Sequence, residues 1–117
     1  MSEIQRYQSN ARLSRLVVHN SIVYVAGVTA TDCSSDAQAQ TADILAKIDG
    51  YLASVGTNKS RLLSAQIWLQ DIQRDFAGLN AAWEKWIPPG AAPARATCEA
   101  RLALPEFRVE IIVTAAL

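Results

Sequence analysis

The sequence predicts an α+β fold in which two helices cover one face of a mixed or antiparallel sheet. Three observations carry this. Short β-branched runs cluster near both ends of the chain, two amphipathic helical stripes lie between them, and proline and glycine punctuate several of the junctions. A chain of 117 residues, half of them hydrophobic, supports one domain spanning 1–117 with a real core, and leaves no room for a second.

In chain order, Ile4–Tyr7 reads as a short edge strand. The runs 16–19 and 22–25 are β-branched and separated by Asn20-Ser21, the length of a two-residue hairpin turn. Gly27 closes the second run and a polar loop follows to Ser35. Ser35 and Gln38 have the spacing of a capping box. From there Ala37, Thr41, Ile44, Leu45, Ile48, Tyr51, Leu52 and Val55 recur at helical spacing, and Gly56 supplies the stop. Leu63, Ala65, Ile67 and Leu69 then alternate with Ser64, Gln66, Trp68 and Gln70, as in a strand with one apolar face. Asp71 is positioned to cap a second helix with the stripe Ile72, Phe76, Leu79, Trp83, Trp86 and Ile87, ended by Pro88-Pro89-Gly90.

The last quarter contains two strand-like runs on either side of Ala103-Leu104-Pro105-Glu106, and these are expected to fold back as a hairpin. Alternation puts Arg95, Thr97, Glu99 and Arg101 on one side of the first run, with Cys98 on its core-facing side. In the second run Val109, Ile111 and Val113 face the core and Glu110 looks away, so Arg95 and Glu110 are expected to share the charged side. The sheet's second face would then carry Gln66, Trp68, Arg95, Thr97, Ile112 and Thr114. That set is too apolar for open water, and burial against another subunit explains it better than a half-exposed Trp on a monomer.

Composition excludes several functions. Eleven basic and eleven acidic residues balance, leaving no electrostatic footprint for nucleic acid or an anionic membrane. No apolar run approaches a membrane span, and the stretch Met1 to Tyr7 lacks the apolar core of a signal peptide. With two cysteines, one in a polar loop, a disulfide framework is not expected, and the chain is placed in the cytoplasm with reduced thiols. A single histidine, His19, rules out a multi-histidine zinc site and leaves no elbow-type serine triad. Neither a metal nor a cofactor is expected.

What remains is Arg95 with Glu110. A guanidinium matches a carboxylate bidentately, and a carboxylate nearby can direct a water or move a proton. Parity alone favours the plainer alternative, a cross-strand ion pair on a solvated face. Asn80 borders the second helix's apolar stripe, where it is either a surface amide or the edge of a cleft.

Five stretches together resemble the Rid (YjgF) family, and its short YoaB-like branch in particular. They are Val18-His19-Asn20 leading to Tyr24 and Gly27, then 54–60, 75–83, Ala92-Pro93-Ala94-Arg95, and Val109-Glu110-Ile111. The resemblance implies a chorismate-mutase-like fold assembled as a barrel-like homotrimer with clefts between subunits. It also implies hydrolysis of reactive 2-imino acids or their enamines, such as 2-aminoacrylate, to 2-keto acids and ammonia. Arg95 matches the residue that clamps the substrate carboxylate, Glu110 the one that holds the attacking water, and Thr97 a position whose backbone orients substrate. Gly27 and Asn80 match residues lining the cleft. Leu13 stands approximately where imine-hydrolysing members often carry a tyrosine, a departure that Arg12 or Ser14 would offset in part. A metabolite-binding or regulatory trimer is the alternative that this departure motivates. An RNA-directed activity fits poorly with the charge balance.

Overall fold

The computed structural model describes residues 3–117, so the first two residues of the N-terminal stretch lie outside it. Six strands form one mixed sheet: β1 (Gln5–Ser9), β2 (Ser14–His19), β3 (Ile22–Val28), β4 (Leu62–Leu69), β5 (Ala94–Glu99) and β6 (Val109–Ala116). The helices α1 (Ala37–Ser54) and α2 (Ile72–Trp86) pack together on one face, which bears out the α+β expectation. The sheet order is β1-β2-β3-β6-β4-β5, antiparallel except for the parallel pair β4 and β5.

The β2–β3 turn is the predicted two-residue turn. Asn20 and Ser21 take φ values of 51° and 64°, the paired left-handed conformation that matches strand twist. Asp36, not Ser35, caps α1, because its carboxylate accepts from the Ala39 backbone N–H. Asp71 caps α2 as expected, accepting from the Arg74 N–H. Beyond α1 the chain leaves through Gly56 at φ 85°, where a side chain would be strained.

The core lies between the sheet and the helices. Leu16, Val23, Ile44, Leu45, Ile48, Leu52, Ile67, Leu69, Leu79, Val109 and Ile111 are fully buried there. Each such side chain contributes about 1.5–3 kcal/mol relative to an exposed one.

Three expectations fail for physical reasons. The last two strands do not pair with each other: β4 is inserted between them, parallel to β5 and antiparallel to β6. Strand propensity marked both runs, but pairing is a tertiary choice. Leu63 is exposed, because a register shift between Leu62 and Ser64 lets Leu62 take the core position. Phe76 is also exposed, while its neighbour Asp75 is buried, since α2 is turned to bring that carboxylate against two arginines.

Candidate functional site

Arg95 stands on β5, an edge strand, opposite Ala65 of β4. Ala65 is a core position, so Arg95 and its register mate Thr97 face the helix layer and not the open face of the sheet. The Arg95 guanidinium reaches α2, where Nη2 donates to Asn80 Oδ1 at 2.9 Å. It also lies 5.4 Å from the Trp83 ring centroid. An amide and an aromatic ring therefore orient the fork without neutralising it, and among the described residues no carboxylate pairs with Arg95. Two places along the strand, Thr97 Oγ1 is buried without a hydrogen-bond partner.

Glu110 occupies the other face. It sits opposite Trp68 on β6, between the buried Val109 and Ile111. Its carboxylate packs against Gly27, where even a methyl group would overlap the carboxylate oxygen. Gly27 thus leaves the space that this carboxylate occupies. No hydrogen bond or ion pair holds the Glu110 carboxylate among the described residues.

Arg95 and Glu110 therefore do not share a face. They project from opposite sides of the sheet with β4 between their strands, so one chain cannot bring them into one pocket. The assignment of Arg95 and Thr97 to the open face, drawn from polar and apolar alternation along the run, is corrected by their register against the core residues Ala65 and Ile67 of β4. Cys98 moves with them: it is exposed on the open face beside Trp68, not buried in the core.

The open face carries Tyr24, Ser64, Gln66, Ala96, Ile112 and Thr114. Tyr24 is 45 % exposed, Ser64 and Thr114 hydrogen-bond at 2.6 Å, and a depression of 350 Å³ runs over Gln66, Ala96 and Ile112. A wider groove of 580 Å³ lies between α1 and α2, lined by Ala42, Ala46, Lys85 and Trp86, and contains none of the predicted site residues. Leu13 follows a tight turn in which Asn10 Oδ1 accepts from the backbone N–H groups of Arg12 and Leu13. It is 44 % exposed.

The sequence profile of the family described as Endoribonuclease L-PSP matches residues 3–117. A RutC family protein of Haemophilus ducreyi is 45 % identical over 97 % of each chain. The chain belongs to the Rid (YjgF) family. The RutC family protein YoaB of Escherichia coli is 44 % identical, again over 97 % of both chains. A YjgF-family protein from Neisseria meningitidis superposes with a TM-score of 0.93 at 41 % identity, covering 97 % of this chain and 94 % of that one.

Within this Rid chain the framework around Glu110 depends on residues that sequence reading passed over. Gln40, fully buried on α1, donates through Nε2 to the carbonyls of Cys33, Ser35 and Glu106 at 3.1–3.3 Å. Its Oε1 accepts from the Arg108 N–H at 3.0 Å. One amide thus ties the loop before α1 to the entry of β6. Asp75, only 2 % exposed, accepts from Arg74 at 2.8 and 2.9 Å and from Arg108 at 2.8 and 3.3 Å. Burial by itself would raise the Asp75 carboxyl, but the hydrogen bonds and charges of the two arginines outweigh it and hold it below the usual carboxylate range. The one available signal was an acidic residue adjoining a helical apolar stripe, which reads equally as a solvated position.

Proposed function

We propose that this Rid chain hydrolyses small 2-imino acids, or the enamines in equilibrium with them, to 2-keto acids and ammonia, without a cofactor. The site would form between copies in a trimer: Arg95 of one copy grips the substrate carboxylate, and Glu110 of a neighbour handles water. One observation carries the reading. A half-buried guanidinium and a half-buried carboxylate, both lacking an ionic partner among the described residues, lie on opposite faces of one sheet, with Arg95 on its edge strand. Two copies packed edge to face supply both groups to one cleft.

The chemistry needs no more than these groups. A protonated imine carbon is already electrophilic. Glu110 takes a proton from water as the oxygen bonds to that carbon, and the C=N π electrons move onto nitrogen. The resulting carbinolamine accepts that proton on nitrogen from Glu110. The C–N bond then breaks, ammonia leaves, and loss of the hydroxyl proton gives the ketone. Arg95 contributes proximity by fixing the substrate carboxylate while the neighbouring carbon reacts. Thr97, Asn80 and Gly27 shape the two halves of the cleft, and the chain is proposed to act in the cytoplasm.

The test is direct. 2-Iminopropanoate is generated in situ with an amino-acid oxidase and its disappearance followed. Wild type is expected to accelerate clearance, and Arg95→Ala and Glu110→Gln are not. Equal clearance by wild type and Arg95→Ala overturns the reading. The exposed Leu13 favours a second reading, a trimer that binds small 2-keto acids without turnover. Calorimetric binding that depends on Arg95, with no imine clearance, selects it.

A further inference from the structure

We propose that Arg15 is a positioning residue for Glu110, acting through a β-bulge in β3. The inference rests on the role proposed for Glu110 above. The β3–β6 ladder pairs Tyr24 with Thr114 and Val25 with Val113, then Val28 with Ile111. Three steps on β3 therefore oppose two on β6, and the extra residue falls within Ala26-Gly27. A bulge of this kind takes backbone groups out of the ladder and re-aims the strand. Arg15 reaches both carbonyls of this segment with one nitrogen: Nη1 donates to Ala26 O at 3.0 Å and to Gly27 O at 2.9 Å. The two hydrogens on that nitrogen are thereby used.

The reach is short. Continuing the β2–β3 register of Leu16 with Val25 by one place sets Arg15 beside Ala26. Tyr51 of α1 fixes the guanidinium from a separate element, its ring centroid 5.3 Å from Arg15 Cζ. Gly27 then meets two groups at once. Its carbonyl takes Arg15, while its Cα hydrogen side lies against the Glu110 carboxylate. Since no hydrogen bond orients that carboxylate among the described residues, the surface presented by the bulged Gly27 peptide decides where its oxygens stand. Arg15 holds that surface and never needs to touch substrate.

The plain alternative is that Arg15 only satisfies two carbonyls and supports the fold. Arg15→Gln and Arg15→Lys are compared with wild type. Arg15→Gln is expected to lower kcat for imine clearance about tenfold, with KM changed by less than about twofold, as for a misplaced reacting group. Arg15→Lys restores part of the loss. A readout without turnover accompanies this: the Glu110 carboxyl 13C resonance at neutral pH moves in Arg15→Gln, while that of Glu84 on α2 does not. An unmoved Glu110 resonance overturns the inference, as does a loss carried by KM with kcat unchanged. If no variant or wild type clears imine, the functional reading fails, and the Glu110 resonance still decides the role of Arg15.

Discussion

Arg95 donates to Asn80 at 2.9 Å across the gap between β5 and α2, so an edge-strand arginine is aimed by a helix amide. Replacing Asn80 with Ala leaves the charge and removes the aim. Asn80→Ala is expected to weaken substrate binding by about 1 kcal/mol, a roughly fivefold rise in KM, with kcat changed less. Steady-state kinetics on the in-situ imine measures both.

Subunit complementation follows from the opposed faces of Arg95 and Glu110. Arg95→Ala and Glu110→Gln chains, each inactive alone, are unfolded, mixed in equal amounts and refolded. Each site then draws an intact arginine and an intact glutamate independently, so about a quarter of wild-type activity returns. No recovery, with trimers confirmed by light scattering, would sink the shared cleft.

Gly27→Ala adds one methyl group where the Glu110 carboxylate stands. The far end of a flexible side chain gives way more readily than backbone, so stability changes by less than about 1 kcal/mol. The displaced carboxylate lowers kcat by about tenfold or more. Thermal melts beside kinetics separate the two effects.

Thr97 Oγ1 is buried and unpaired within the described chain. Thr97→Val keeps the shape and removes the unsatisfied group. Its stability is expected to equal wild type or exceed it by about 1 kcal/mol. A hydroxyl that serves a bound ligand or its water shows instead as a raised KM.

Asp75 links stability to pH. Its folded carboxyl is held below the ordinary value of 3.8, first opposed by burial and then overcome by Arg74 and Arg108. A depressed folded value stabilises the fold above the unfolded pKa and loses that contribution as pH falls through the folded one. Both arginines are partly exposed, so Asp75→Asn costs about 2 kcal/mol at pH 7, less than a fully buried pair. Urea midpoints of wild type and Asp75→Asn should converge as pH falls below the ordinary value of 3.8.

By itself the sequence determined the elements and the chemistry on offer. Local periodicity and punctuation are properties of neighbouring residues, so α1, α2, the Asn20-Ser21 turn and the Asp71 cap were legible without coordinates. Elimination left Arg95 and Glu110, because the chain has one histidine and two cysteines. Only the tertiary structure decided which strands meet. Pairing joins residues far apart in the chain, and the insertion of β4 between β5 and β6 turned an expected ion pair into two groups on opposite faces. The same holds for Gln40 with its partners Glu106 and Arg108, 66 and 68 residues away, and for Asp75 with its partner Arg108, 33 residues away. A buried polar side chain is recognised by what surrounds it, and no spacing rule in the chain encodes those surroundings.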